Sequence, residues 1–332
     1  MSTLTEIVRE ITGAQSVDLG KVIQTLWSGY GVIQNAVLTD APKLSDEPRL
    51  PVVLKHIDIS RARSNPRGWG NDNSHQRKVR SYEVEKAFYE SYSQRCSEQC
   101  RVPRFLAAQS LENAGGWVIV LEDLNTAGFA IRKSTVRRVD VLACLAWLAN
   151  FHATFLNDAA SDLWPVGTYW HLATRGDELH AMPPGRLKQA AHSIDTALNS
   201  ARYQTLVHGD AKVANFCFSE TDPSTVAAVD FQYVGRGCGM KDVAYFISSC
   251  LSEREAAEQR SELLGYYFDQ LQTAINAKRN DMNFGELQNE WMDLYAFAWA
   301  DFCRFLSGWS PGHWKLNSHT DRITQAVLDQ LD

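Results

Sequence analysis

Apolar residues fall into two patterns along the chain. Up to residue 124 they come as short β-branched runs broken by glycine or charge; beyond it they recur mostly at helical spacing. Over residues 23–38 two apolar segments flank Ser28-Gly29-Tyr30-Gly31, which predicts a strand, a glycine turn and a second strand. Pro51 to Ile57 is β-branched and predicts a buried strand that carries one lysine, Lys55. Residues 60–80 hold Arg61, Arg63, Arg67, Arg77, Lys78 and Arg80 with almost no apolar content, and predict a mobile loop. From Tyr82 to Tyr92 the apolar positions 84, 87, 88 and 92 have a helical spacing. Gly116 to Leu121 predicts another buried strand, which ends at Glu122-Asp123-Leu124.

In the second part, Val136 to Leu156 is one long apolar-periodic segment. Residues 157–204 read as irregular, broken at Trp164-Pro165 and Pro183-Pro184-Gly185. Two short β-branched runs follow, Thr205–Val207 and Val226–Val229, and the tail from about Glu253 is helical and rich in aromatic residues. No internal repeat or low-complexity segment interrupts the pattern.

Length and composition narrow the class. A chain of 332 residues suggests about two domains or lobes. An apolar fraction of 45% is too high for a disordered chain. The net charge of −6 argues against a nucleic-acid binder. No stretch approaches the ~18 uncharged apolar residues of a membrane span. Met1 to Ile11 carries Glu6, Arg9 and Glu10 and does not read as a secretory signal. The seven cysteines are scattered, with no partners for a zinc site, and predict free thiols in a reducing cytoplasm. Residues 1–124 carry 15 basic and 15 acidic side chains, so the whole acidic excess lies C-terminal to them.

The chemistry is concentrated in His208-Gly209-Asp210-Ala211-Lys212-Val213-Ala214-Asn215, set between an apolar run and Phe216-Cys217-Phe218. Fifteen residues after Asn215 comes Asp230, in Val229-Asp230-Phe231-Gln232. Phosphoryl transfer needs such a set, because it consists mostly of positioning and charge neutralisation. Asp210 can orient an attacking hydroxyl and take its proton. Asn215 and Asp230 supply the hard oxygens that Mg²⁺ prefers. Lys212 is in register to offset γ-phosphate charge. Upstream, Lys55 is costly to bury unless paired. Glu85 is the best partner, with Glu83 and Glu90 behind it. The glycines of Ser28-Gly29-Tyr30-Gly31 would let backbone N–H groups approach a phosphate.

Taken together, these motifs resemble the protein-kinase-like superfamily of small-molecule kinases: aminoglycoside phosphotransferases, choline kinases and above all the ecdysteroid kinase-like group. The matching residues run in order through Val53-Leu54-Lys55, Glu85 with Phe88-Tyr89, Leu121-Glu122-Asp123-Leu124, Leu148-Ala149-Asn150-Phe151-His152-Ala153, the catalytic block, Asp230-Phe231-Gln232 and Asp242-Val243-Ala244-Tyr245. The resemblance implies an α+β, bilobal protein-kinase-like fold: a small antiparallel-sheet N-lobe over 1–121, a hinge at 122–124 and a larger, mostly helical C-lobe over 125–332. It implies ATP and Mg²⁺ as cofactors, Lys55 on the α- and β-phosphates, and adenine bonded to the backbone at Glu122 and Leu124. Asp242 would support the catalytic loop, and His152 would be a core histidine.

Two departures bear on the substrate. Lys212 stands where many aminoglycoside kinases have His or Asn, and Gln232 replaces the Gly of a DFG motif, so a flipping switch there is not expected. A protein kinase is disfavoured, because Gly209 replaces an Arg that reads a phosphorylated loop. Asp242 follows Asp230 by only 12 positions, too few for a peptide platform. A small-molecule alcohol is the expected acceptor, with no nucleic-acid or membrane partner. Six of ten tryptophans follow residue 160, which with the acidic charge suits a cationic amino-alcohol or aminoglycoside-like acceptor; a hydrophobic steroid-like alcohol also suits. The basic loop 60–80 is either a lid or, preferably, a solvated linker. The rival from another class is a nucleotide-binding pseudokinase acting through a partner.

Overall fold

The apolar runs of the N-terminal part pair into one antiparallel sheet in the computed structural model, which describes residues 3–26, 29–61, 72–111, 115–278 and 282–332. Its strands are β1 (Ser16–Thr25), β2 (Gly31–Thr39), β3 (Arg49–Ile57), β4 (Phe105–Leu111) and β5 (Gly116–Glu122), in the order β1-β2-β3-β5-β4. β3 is therefore central, with Lys55 opposite Ile33 of β2 and Ile119 of β5. One face of the sheet packs Val52, Leu54, Val118 and Val120 against Val8 of α1 (Leu4–Thr12). α2 (Asp72–Ala87), continued by a π-helical turn over Phe88–Tyr92, supplies the ion-pair partner of Lys55. β5 is buried along nearly its whole length, which is why it reads as a continuous apolar run without alternation.

The expected mobile loop over 60–80 needs correction. Residues 62–71 lie outside the described residues, but residues 72–80 are helical. The first turns of α2 lack an apolar period because they are stabilised through polar contacts: Lys78 Nζ sits 4.6 Å from the Tyr82 ring centroid, and Arg80 pairs with Glu83 at 3.2 Å. Arg, Lys and Gln are also good helix formers in their own right. α1 was not foreseen either, although Thr3 and Glu6 form a capping box and Gly13 closes the helix at φ +70°.

Contacts divide the chain into two compact units, Met1–Arg95 with Val102–Ile131, and Cys96–Arg101 with Arg132–Asp332. The second is mostly helical. α3 (Arg138–Thr154) packs on α8 (Glu253–Lys278), while α4 (Gly176–Ala181), α6 (Ala191–Asn199), α7 (Met240–Cys250) and α10 (Ser318–Leu331) pack on α9 (Phe284–Trp309). The stretch that reads as irregular thus holds three short helices, α5 (Arg186–Gln189) among them. Two small antiparallel ribbons complete the unit, β6 (Thr205–Val207) with β9 (Gly235–Gly237), and β7 (Phe216–Phe218) with β8 (Val226–Ala228). A small antiparallel-sheet unit and a larger helical one are the α+β class the motifs implied. No helix among the described residues is long and apolar enough to cross a membrane. All seven cysteines are free thiols.

Candidate active site

In the first unit, the lysine in the apolar strand is buried and its Nζ donates to Glu85 Oε2. Glu83 pairs with Arg80 and Glu90 with Lys86, so of the three candidate glutamates it is Glu85 that meets Lys55. α2 brings Glu85 inward because Tyr82, Val84, Phe88 and Tyr89 are all buried beside it. Gly29 and Gly31 close the β1–β2 turn, where Leu26 N–H donates to Gly31 O at 2.8 Å. Gly31 adopts φ +146°, and a Cβ there would lie 1.9 Å from His56 O, so the sheet itself requires glycine. Ser28 lies outside the described residues. Glu122 ends β5 and its carboxylate accepts from Arg104 N–H at 3.0 Å. Asp123 bridges Asn35 at 3.1 Å and Asn125 N–H at 2.9 Å, and Leu124 is buried.

Removing one partner of the buried pair has a defined expected cost. Lys55→Met takes the ammonium away from a buried carboxylate and should destabilise the protein by about 3 kcal/mol, read as a lower urea midpoint. The double change Lys55→Met with Glu85→Leu should recover much of that loss; equal stability of wild type and Lys55→Met would remove the pair from the framework.

In the second unit, the block from His208 to Asn215 connects β6 to β7, and Asp230 lies between β8 and β9. The loop is set by a carboxylate below it. Asp242, fully buried on α7, accepts from His208 N–H at 2.5 Å, Gly209 N–H at 2.9 Å and His152 Nε2 at 3.2 Å. His152 in turn accepts at Nδ1 from Tyr267 OH at 2.8 Å, which makes it a satisfied core histidine. Gly209 sits at φ +80°, where a Cβ would lie 2.1 Å from Tyr233 O. The ring of His208 bonds Val229 O through Nε2 at 3.0 Å and accepts Asp210 N–H at Nδ1 at 3.3 Å, so it ties the loop to the end of β8. Asp230 follows at φ +71°, a left-handed conformation that a non-glycine residue holds only when its surroundings impose it.

The loop presents one buried carboxylate with donors on both oxygens. Lys212 Nζ donates to Asp210 Oδ2 at 2.7 Å and Asn215 Nδ2 to the same oxygen at 3.1 Å; Tyr245 OH donates to Oδ1 at 3.2 Å. Burial raises the Asp210 pKa, Lys212 works against that, and the charge of Asp230 adds to it. For Lys212 burial acts downward, but Asp210 and Asp230 outweigh it and the ammonium is held above its ordinary value. Asp210, Lys212 and Asn215 are thus joined by hydrogen bonds, with Asp230 within electrostatic reach of the first two. Sequence reasoning quoted Tyr245 only as part of a motif and missed its bond to Asp210, because 35 residues separate them.

The donor set suits Mg²⁺. Asn215 turns its amide nitrogen toward Asp210 O at 2.8 Å and Oδ2 at 3.1 Å, which leaves its Oδ1 as a hard oxygen without a hydrogen bond from the described residues. With the Asp230 carboxylate this is one amide and one acidic oxygen group. Among the described residues no cluster of three or more His, Cys, Asp or Glu side chains forms a cage. Such a sparse set matches a cation shared with waters and phosphate oxygens.

The profile of the ecdysteroid kinase-like family matches residues 169–279, a span that includes the catalytic block, Asp230, Asp242 and Tyr245. Among solved structures, the amicoumacin kinase hAmiN, in complex with AMP-PNP, Ca²⁺ and Ami, is similar at a TM-score of 0.51 and 14% identity, over 90% of this chain and 86% of that one. The fold is that of the protein-kinase-like small-molecule kinases. A Ralstonia eutropha JMP134 protein assigned to the aminoglycoside phosphotransferases is similar at a TM-score of 0.52 and 12% identity, over 97% of this chain and 93% of that one. No curated protein matches the chain by sequence.

Within this kinase-like fold, the residue after Asp230 is locked. Phe231 is fully buried, 4.7 Å from the His208 ring and 5.9 Å from that of Phe151. Gln232 O accepts Trp164 Nε1 at 2.9 Å. β9 and the start of α7 both fall within the 12 positions from Asp230 to Asp242.

Proposed function

We propose that this chain is a phosphotransferase that uses ATP and Mg²⁺ to phosphorylate a hydroxyl of a small molecule. The observation that carries this reading is the Asp210 carboxylate, buried, with donors on both oxygens and beside the free amide oxygen of Asn215. Asp210 would orient the acceptor hydroxyl and take its proton as the hydroxyl oxygen bonds to the γ-phosphorus and the bond to ADP breaks. Lys212 would offset charge on the transferred group. Asn215 and Asp230 would hold Mg²⁺, which when bound neutralises charge on the phosphates. Lys55, positioned by Glu85, would pair with the α- and β-phosphates under the turn of Ser28, Gly29 and Gly31, and the backbone of Glu122 and Leu124 would take adenine. The like-folded amicoumacin kinase was solved with AMP-PNP and Ca²⁺, which supports a nucleotide–cation pair. A small acceptor fits the short, locked segment after Asp230 better than a peptide does. The free thiols fit the reducing cytoplasm.

The test is transfer of label from γ-labelled ATP across a panel of small hydroxyl compounds. Label on a small molecule is expected. Label on protein alone would mean a protein kinase, and nucleotide binding without turnover a pseudokinase; either result overturns the proposal. Asp230→Ala should weaken binding of Mg²⁺-nucleotide about tenfold or more by calorimetry while metal-free nucleotide binding changes little. Unchanged affinity with Mg²⁺ would take Asp230 out of the cation site.

A further inference from the structure

One positive charge beside the catalytic loop has no role in the phosphate chemistry above. Lys315 lies in the connection between α9 and α10. Its Nζ is 4.7 Å from the ring centroid of Tyr245, 5.1 Å from that of Phe302 and 5.6 Å from that of Trp314. Tyr245 is the residue whose hydroxyl donates to Asp210 at 3.2 Å, so a single aromatic side chain separates this ammonium from the carboxylate. Tyr245 and Phe302 form a packed group with Tyr169 and Trp170, which fixes their faces: Tyr245 meets Phe302 at 4.9 Å and Trp170 at 4.9 Å. No carboxylate among the described residues lies within ion-pair distance of Lys315. Burial lowers its pKa to about 8, with Cys250 and Asp210 acting in the opposite sense.

A half-buried ammonium with aromatic faces around it and no counter-ion is an incomplete ion pair. A ligand anion would complete it. An acceptor bearing its own ammonium would meet like charge at the place where the aromatic residues would otherwise receive it. Trp314, one of the tryptophans that the sequence offered to a cationic acceptor, already faces the chain's own cation.

Resting on the phosphotransferase reading above, we propose that Lys315 selects the acceptor: it binds an anionic oxygen group of a hydroxy compound whose hydroxyl faces Asp210, and it turns away acceptors that carry an ammonium group. The substrate class is therefore a hydroxy acid or the monophosphate of a polyol. Lys315 acts on binding and leaves proton transfer to Asp210.

The experiment compares four small probes of similar size, glycerate, glycerol 3-phosphate, glycerol and choline, by calorimetry on the full chain with AMP-PNP and Mg²⁺ present. Wild type should bind at least one of the two anions at least tenfold more tightly than glycerol or choline. Which anion binds separates a carboxylate from a phosphate acceptor. Lys315→Met should abolish the preference, Lys315→Glu should turn it toward choline, and Lys315→Arg should keep it, with melting temperatures confirming that all three variants fold. Choline bound as tightly as the anions, anion binding indifferent to residue 315, or no anion bound by wild type would each overturn the proposal. Turnover with γ-labelled ATP is scored separately. An anion preference that depends on residue 315 without any phosphate transfer would sink the kinase reading and leave Lys315 as an anion site; transfer to choline with no effect of residue 315 would do the reverse.

Discussion

Asp210→Asn is expected to lower phosphate transfer by about a thousandfold, because a positioned general base contributes roughly 10²–10⁴. The substitution keeps the shape of the side chain but removes the group that can accept a proton. It also replaces an oxygen that now receives Lys212, Asn215 or Tyr245 with an amide nitrogen or a weaker acceptor. Nucleotide affinity should stay close to wild type, since Lys55, Glu85 and Asp230 are untouched. The measurement pairs labelled-phosphate transfer with calorimetry of nucleotide binding. Full turnover by Asp210→Asn would mean that another group takes the proton; loss of nucleotide binding along with turnover would mean that the carboxylate serves chiefly to shape the loop.

Asp242→Ala should have the largest effect on stability. Three buried donors, His208 N–H, Gly209 N–H and His152 Nε2, converge on this one carboxylate. Each buried donor left unmade costs about 1–3 kcal/mol, and the losses do not simply add. A total of about 3–5 kcal/mol is expected, read as a lower urea midpoint with the slope unchanged. Transfer should fall as well, because the backbone on either side of Gly209 sets where Asp210 points. Asp242→Asn keeps one carbonyl acceptor and should lie between the two. An Asp242→Ala protein as stable as wild type would show that the loop is held by its strands and not by this residue.

The candidate residues of the two units differed in how legible they were in the sequence. The block from His208 to Asn215 was legible because its functional groups lie within one loop, where spacing alone brings Asp210, Lys212 and Asn215 together. Lys55 was legible because a lysine in a β-branched run needs a partner, but the run cannot say which glutamate reaches it. Three glutamates lie within one helix, and the packing of Tyr82, Val84, Phe88 and Tyr89 against the interior decides for Glu85. β4 and β9 escaped notice for opposite reasons: Phe105–Leu111 contains two alanines and little β-branching, and Gly235–Gly237 is three residues with two glycines. Both are strands only because a neighbour supplies the hydrogen bonds.

Local order in the chain was enough to determine the class of fold, the grouping of Asp210, Lys212 and Asn215 in one loop and the likeness to small-molecule kinases. These depend on period, on short spacings and on residue types whose burial has a known cost. Tertiary structure alone decided which donors Asp242 receives, that Tyr245 touches Asp210, and that Lys315 stands among aromatic rings beside it. Those contacts join residues 33 to 35 positions apart, or bring together three elements around one ammonium. The physical reason is that hydrogen bonds and cation–π contacts act over a few ångströms of space, and only packing determines which distant residues share those few ångströms.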